Sequence, residues 1–281
     1  MSDRTEVVVA GVAFSPHAQL IAATASSFSA LLGARTVFVH VGEEAEETRI
    51  RLAEVLRAAA VDSDCELLLR TGSPEDVLLA IAEEQQATLM VTGALEEEGM
   101  FQRIFGSVAR RIARKAGCPV LLIPLNVHHV PRLENVVLGV RFDEDLAPML
   151  SYTLGLLRAA GEHRLHIVQE TDYADRLAAR YIDQREREEF ESEQHRALVD
   201  YLSVYDLTDF EVEVQVLDES AEGIAIVEYA RSIGADLVIT QAPSRALTFW
   251  DRVFTHPAES ALTSLPCGML LFRGETDGGT E

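Results

Sequence analysis

The sequence predicts an α/β protein built from two consecutive, doubly wound parallel sheets, and three observations support this. Short apolar runs alternate with longer amphipathic or charged stretches, beginning at Val7–Val9. This alternation is typical of strands and helices in a parallel sheet. The pattern restarts near residue 134, and a length of 281 residues suits two domains.

Five strands are predicted in the first half, because each is a short apolar run bounded by polar or turn residues. They lie at residues 6–13, 36–41, 65–69, 88–92 and 120–123.

Four helices are predicted between these strands. The first covers residues 16–32, with Ser15 as its N-cap and Gly33 as its end, and the second covers residues 43–60. Ser73 and the following Pro74 are typical of the start of the third. In the fourth, Val108, Ile112 and Ala116 fall on one face.

An internal repeat relates the second half to the first. Residues 136–140 (VVLGV) resemble residues 8–12 (VVAGV), and Phe254 and Cys267 lie 149 positions after Phe105 and Cys118. Residues 171–205 are longer than their counterpart, and we expect a long helix there with solvated central turns. The predicted limits are domain 1 at 1–125, a linker at 126–133, domain 2 at 134–273 and a disordered acidic tail at 274–281.

Composition excludes several classes of function. The net charge of −22 opposes binding to nucleic acids and to anionic membranes, and Lys115 is the one lysine, so there is no Walker-type Gly-Lys pair. No apolar run approaches the roughly 20 residues that span a bilayer. The N-terminus has no signal-peptide features, and three widely spaced cysteines suggest neither disulfides nor zinc. We therefore expect a cytoplasmic protein.

The most informative stretch covers residues 91–124, which read as strand, loop, helix and strand. Gly106 and Ser107 stand where the helix begins. A glycine allows a ligand close to the backbone, and a serine can cap the helix or bond a phosphate oxygen. The free N–H groups and the helix dipole favour an anion at this position.

This stretch resembles the C-terminal half of a universal stress protein domain, whose ATP-binding members carry the motif G-x2-G-x9-G-[ST]. Gly93, Gly106 and Ser107 fit the motif, whereas Glu96 replaces its middle glycine and two more glutamates follow. The segment GSVARRIARKAGCPVLLIP is the more specific part. Because of the internal repeat, each half of the chain resembles one domain of this family, so the resemblance covers nearly the whole chain. It implies Rossmann-like domains, of the adenine-nucleotide α-hydrolase-like type, with five strands and four helices each.

The resemblance also implies where a nucleotide site would lie. In domain 1 this vestigial nucleotide or anion site comprises Ala13, Val41, Gly93, Arg103, Gly106, Ser107 and Val108. Ala13 replaces the aspartate that meets the adenine in the family, and Arg141 replaces it in the second half. Thr255, His256 and Pro257 stand where the second half should repeat residues 106–108. We expect no ATP binding in domain 2, and weak or no binding of ATP or AMP in domain 1.

One positively charged segment contrasts with this acidic chain. No Asp or Glu occurs from residue 99 to 133, a window that contains Arg103, Arg110, Arg111, Arg114 and Lys115. One interpretation is that these are ordinary solvated side chains on a helix, where cations near the C-terminus favour its dipole. The other is a patch for an anion or an acidic partner, with Arg103 and Ser107 nearest the ligand.

Other candidate residues have structural interpretations that we favour. We expect His128 and His129 on a surface linker, and His163 and His166 at exposed strand ends. Cys118 and Cys267 are interpreted as small buried residues, with a reactive thiol as the alternative. The aromatic residues of the second half's loop either fill a vacated cavity or line an apolar pocket: Phe249, Trp250 and Phe254. No catalytic set and no metal site is predicted.

The leading functional hypothesis is a non-catalytic tandem universal stress protein that acts in stress response or regulation through an unidentified protein partner. Alternatives are an ATP- or AMP-responsive sensor that uses domain 1 alone, and a nucleotide hydrolase or transferase. The family usually pairs through its last strand, so residues 121–123 and 269–272 would pair the two domains as an intramolecular pseudo-dimer. A homodimer is also possible, and no nucleic-acid or membrane partner is expected.

Overall fold

The computed structural model describes residues 6–62, 65–93, 107–140, 145–170, 184–217, 224–242 and 265–274. The chain divides into two compact units. The first comprises residues 1–131 and 267–281, and the second comprises residues 132–266. Each unit is described by itself below.

The first unit contains the predicted helices and strands of the first half, with ends shifted by a few residues. Its strands are β1 Val7–Gly11, β2 Arg35–Val41, β3 Glu66–Arg70, β4 Leu89–Gly93, β5 Val120–Ile123 and, from the end of the chain, β10 Gly268–Phe272. Its helices are α1 Ala18–Leu32, α2 Glu46–Ala58, α3 Pro74–Glu84 and α4 Ser107–Lys115.

The strands of the first unit form a doubly wound parallel sheet in the order β3-β2-β1-β4-β5. β10 continues this sheet by pairing antiparallel with β5, where Leu270 lies opposite Leu121. Side chains of the central strands are inaccessible to solvent, as at Val8 and Met90. The run of apolar residues in each strand is explained by this burial on both faces. The order reverses between β1 and β4, the place where ligands bind in such sheets.

For helix α1, the sequence predicts the C-terminal end correctly and the N-terminal start incorrectly. Gly33 ends it in the left-handed conformation with φ of 62°, as predicted, and Ile21 and Phe28 lie on its buried face. The predicted start is wrong, because the helix begins at Ala18. Ser15 does not cap the helix with its side chain; its carbonyl oxygen accepts a bond from the Ala18 amide in a preceding turn.

The second unit repeats the strand order of the first. Its elements are β6 Val136–Val140, α5 Ala147–Ala160, β7 Arg164–Glu170, α6 Gln184–Leu202, β8 Glu211–Leu217, α7 Ile224–Ser232 and β9 Leu237–Gln241. They form a parallel sheet in the order β8-β7-β6-β9, which matches β3-β2-β1-β4. The predicted fold class, a doubly wound parallel α/β sheet in each half, is therefore confirmed.

Two details of the domain prediction differ from this description or lie outside it. The predicted second domain, 134–273, includes β10, whereas the compact unit that contains β10 is the first. The fourth helix expected in the second half would fall within 243–264, which lies outside the described residues, as does the predicted tail after residue 274. The predicted limits of the domains remain a prediction.

The long helix predicted at 171–205 is represented by α6, and residues 171–183 lie outside the described part of the chain. Leu198 and Leu202 are buried one turn apart, whereas Arg185 and Glu189 are exposed and form an ion pair at 3.3 Å. The solvated turns expected for this helix are therefore present in its described portion. No helix in the described ranges is both long and apolar enough to cross a membrane.

Removing apolar volume from β10 should destabilise the first unit. Leu270 is fully buried against β5, so Leu270→Ala should lower the free energy of unfolding by about 2–5 kcal/mol, the cost of a cavity in a packed core. Urea denaturation measures this loss. Val204→Ala is the control, because Val204 is exposed and its truncation should cost no more than about 0.5 kcal/mol. Equal effects of the two substitutions would contradict the packing of β10.

Candidate functional site

The candidate site lies where β1, β2 and β4 end in the first unit. Gly11 pairs with Val39 and Ala10 pairs with Val91. Continuing these parallel registers places Ala13 beside Val41, and Gly93 beside the residue before Ala13. The structure therefore brings three of the predicted site residues to one edge of the sheet.

The remaining predicted residues lie on or before helix α4. Ser107 is the first residue of α4, and Val108 is half-buried. Because α4 follows β4, its N-terminus belongs to the same edge of the sheet. Arg103, Gly106 and the glutamates at 96–98 lie outside the described residues.

An aromatic and cationic cluster occupies the ends of β1 and β2. The ring centroids of Phe14 and His40 are 4.8 Å apart, and the Arg51 guanidinium carbon, from α2, lies 4.0 Å from the Phe14 ring centroid. We call these three residues the Phe14 stack. Phe14 is 41% exposed, whereas His40 is buried. A cation beside an aromatic face is electrostatically favourable, so Arg51 holds the exposed ring in place.

Hydrogen bonding fixes the imidazole of His40. Its Nδ1 donates to the carbonyl oxygen of Val12 at 2.8 Å, which assigns the proton to Nδ1. A Cβ built on Gly42 would lie 2.8 Å from His40 Nε2, so the ring contacts the backbone after β2. Glycine at position 42 is therefore required by the close approach of this ring.

Packing against Ile21 also explains why a glycine stands at position 93, independently of the nucleotide-binding motif. A Cβ at this position would lie 3.2 Å from Cδ1 of Ile21 on α1. The side chain of Ile21 therefore lies close to the end of β4, and a Cβ at position 93 would require Ile21 to move by a few tenths of an ångström. The glycine supports close packing whether or not a ligand is bound.

The corresponding edge of the second unit is described only in part. It includes Val140 at the end of β6, which is buried, and Gln241 at the end of β9, which is half-buried. The residues that carry its predicted differences lie outside the described part of the chain: Arg141, Phe249, Trp250, Phe254, Thr255, His256 and Pro257.

Comparison with known proteins identifies the family. A model of the universal stress protein family matches residues 8–124. A universal stress protein of Thermus aquaticus is 32% identical over 126 residues, which cover 39% of this chain and 91% of that protein. The chain belongs to the universal stress protein family.

Solved structures extend the similarity in fold to both halves of this universal stress protein. One from Archaeoglobus fulgidus is 15% identical, covers 95% of this chain and 98% of its own, and gives a TM-score of 0.65. A protein of unknown function from Pseudomonas aeruginosa PAO1 is 13% identical, covers 96% of this chain and 93% of its own, and gives 0.64. At these identities the similarity concerns the fold alone.

The Phe14 stack was missed in reading the sequence of this universal stress protein. The family motif marks position 13, where this chain has Ala13 in place of an aspartate, and it does not mark Phe14. An aromatic residue directly after a strand was the available signal. His40 and Arg51 could not be added to it, because their contacts with Phe14 join residues 26 and 37 positions away.

The predicted positive segment is partly neutralised. Arg111 donates to Glu75 Oε1 at 2.8 Å and lies 3.6 Å from a carboxylate oxygen of Asp76, both at the start of α3. The Glu75 backbone amide, Ser73 and Arg111 together hold the pKa of the Glu75 carboxyl below its usual value. Arg111 therefore connects two helices, and its charge is shared with two carboxylates.

The cysteines and linker histidines occupy positions consistent with structural roles. Cys118 and Cys267 are buried, as predicted, and burial raises the pKa of the Cys118 thiol to about 11, so it is not a thiolate at neutral pH. His128 is exposed, with its ring 5.7 Å from that of His17. Among the described residues, no group of three or more His, Cys, Asp or Glu side chains is placed to hold a metal ion.

His166 corrects a prediction, because it is buried and not at an exposed strand end. Its Nδ1 lies 2.9 Å from the Tyr229 hydroxyl and 3.4 Å from Glu213 Oε2. Burial lowers the pKa of His166 and outweighs the opposing effect of Glu213, so the ring is neutral and no ion pair forms at neutral pH. The same burial, with Glu213, raises the pKa of Tyr229 to about 12. His163 is exposed as predicted.

Acidification should destabilise the protein through His166. Because its folded pKa lies below the unfolded value of about 6.5, the unfolded chain binds the proton more readily. The contribution of His166 to stability is complete above that value and is lost as pH falls through the folded pKa. His166→Phe should therefore weaken the decline in unfolding free energy between pH 7.5 and 5, measured with urea.

The matched control is His163→Gln, three residues earlier at an exposed position, which should retain the wild-type decline. An identical pH dependence of the wild type and His166→Phe would show that the buried imidazole does not titrate as described.

Proposed function

We propose that this chain is a non-catalytic tandem universal stress protein that works through a protein partner, with weak or absent nucleotide binding. The observation that carries the proposal is the replacement at the end of β1. Ala13 provides no carboxylate at the edge where β1 meets β2, and the Phe14 stack occupies that edge instead. A lost charged hydrogen bond costs roughly 1–3 kcal/mol, which weakens binding by about 5- to 150-fold.

The negative charge of residues 96–98 also supports weak nucleotide binding. Glu96 and its two acidic neighbours precede the start of α4 in sequence, and each exposed like charge adds up to about 1 kcal/mol of repulsion towards a phosphate. Arg111, which could offset part of this charge, is paired with Glu75. The glutamates therefore oppose a polyphosphate, and Arg111 offsets less of their charge than an unpaired arginine would.

Pairing of β5 with β10 within the first unit covers the edge of β5, the last strand of the first half of the chain. Leu121 and Leu270 face each other in antiparallel register and are fully buried. This pairing removes an exposed apolar edge that would otherwise favour aggregation. The three cysteines form no disulfide, which suits a reducing compartment, and we place the protein in the cytoplasm.

A sensor of ATP or AMP is the second candidate, and the features that favour it are Gly93 and Ser107. Both are retained, and Ser107 begins a helix of nine residues whose N-terminus is suited to an anion. In this alternative, domain 1 alone would respond to the nucleotide.

Thermal unfolding with 5 mM ATP or AMP separates the two candidates. With a millimolar dissociation constant, the ligand stabilises the fold by about 1 kcal/mol, so we expect a shift in Tm of a few degrees at most. A shift of many degrees that Ser107→Ala abolishes would support the sensor and contradict our proposal. Inorganic sulfate at the same ionic strength is the control for general salt effects.

A further inference from the structure

A buried histidine joins helix α7 to the sheet of the second unit. His166 lies on β7 and is only 5% exposed, and its Nδ1 is 2.9 Å from the hydroxyl of Tyr229 on α7. One turn earlier in the helix, Ile226 packs on β6, where a Cβ built on Gly139 would lie 2.6 Å from Cδ1 of Ile226. The helix is therefore attached to the sheet by an apolar contact at β6 and by a polar contact at β7.

Hydrogen bonding assigns the proton of the neutral ring to Nδ1. The Tyr229 hydroxyl also bonds to the Glu213 side chain on β8. An ionised carboxylate only accepts hydrogen bonds, so the hydroxyl donates to Glu213 and its oxygen accepts from His166 Nδ1. His166 Nε2 is buried and has no hydrogen-bond partner among the described residues. We call His166, Tyr229 and Glu213 the His166 cluster.

The charged groups around His166 come from the elements that pack against it. On β8, Glu213 Oε2 lies 3.4 Å from Nδ1 and attracts a protonated ring. Arg164 of β7 and Glu211 of β8 act on the ring in opposite directions and form their own ion pair at 3.5 Å. β6, on the other side of β7, is apolar or glycine throughout. The other ionisable residues of α7 are exposed: Glu228 and Arg231.

Protonation of His166 would place a charged N–H at Nε2, where no acceptor is available. Glu213 approaches Nδ1, so it does not satisfy this new donor. A buried donor without an acceptor is unfavourable, and more so when it is charged, unless water reaches it. Helix α7 is part of what covers the ring, because the Tyr229 ring packs edge-on against the imidazole with centroids 5.8 Å apart. Protonation therefore favours a state in which α7 has moved away from β7.

The first unit has an apolar residue at the equivalent position. Val9 pairs with Val37 as Val137 pairs with His166, and Val9 and Val137 correspond in the internal repeat. Val37 is fully buried and takes no proton. The helix that corresponds to α7 in the first unit, α3, is therefore held without a titratable group at this position.

We propose that the His166 cluster is an acid-sensitive switch for helix α7. The neutral imidazole holds the helix on β7 through Tyr229, and the protonated imidazole releases it while the rest of the second unit stays folded. This inference does not depend on nucleotide binding. It also goes beyond a general loss of stability in acid, because it assigns the opening to one helix of one unit.

Hydrogen exchange of the full chain, followed by mass spectrometry and corrected for the chemical exchange rate at each pH, tests this proposal. Between pH 7.5 and pH 5.0, exchange in α7 should accelerate by about five- to thirtyfold. The upper limit is set by a histidine that titrates near pH 6.5 once the helix is released. Exchange in α3 should show no such acceleration.

Low concentrations of urea separate release of the helix from unfolding of the whole unit. Release of one short helix exposes little surface, so exchange in α7 at pH 5.0 should be insensitive to urea. Exchange that requires unfolding of the whole second unit should accelerate with urea, and amides in the centre of α5 report it.

His166→Val places the residue type of the first unit at this position and should abolish the acid acceleration in α7. Circular dichroism checks its fold. Glu213→Gln is the matched variant, because it removes the neighbouring carboxylate, which is exposed, and keeps the histidine. The acid acceleration should persist in it. If His166→Val does not fold, Glu213→Gln still decides, because loss of the response would identify Glu213 as the titrating group and overturn the proposal.

Three further results would contradict the switch. The first is exchange in α7 that is the same at both pH values. The second is acceleration in α7 that rises with urea as steeply as in α5, because the unit would then open as a whole. The third is an acid response that survives in a folded His166→Val variant.

Discussion

Burial of parallel strands on both faces is the constraint on which this structure depends. Such a sheet needs helices on each face, so each strand leads into a loop at the same edge. The core residues Val8, Met90 and Leu121 satisfy this requirement in the first unit. Because the framework fixes where the loops lie, their residues can change without altering the fold. The edge around Ala13 is such a place.

At this edge of the first unit, polar groups at the ends of β1 and β2 are satisfied within the protein. Around Phe14, the strand ends bond to one another and to His40, and no ligand is needed to complete them. Ser107 begins α4, and the first amides of any α-helix have no partner within the helix itself.

Most of the fold could be predicted from the sequence, because its signals are local. Gly33 ends α1 as expected. The internal repeat predicted two similar halves, and the strand order is the same in both. Errors arose where tertiary contacts decide. His166 lies within an apolar run, yet its burial depends on Tyr229, 63 positions later. Arg111 was predicted to belong to a positively charged segment, and its ion pair with Glu75 of α3 depends on the tertiary fold. The Phe14 stack likewise joins three separate segments, which periodicity alone does not bring together.

The central claim is that the universal stress protein scaffold is retained while nucleotide binding is weak or absent, as we propose. Native mass spectrometry of the freshly purified full chain, without added ligand, tests this most directly. Our account predicts the mass of the bare polypeptide, 30.9 kDa. A retained mass increment that corresponds to an adenine nucleotide, in a stoichiometry of one or two per chain, would contradict it.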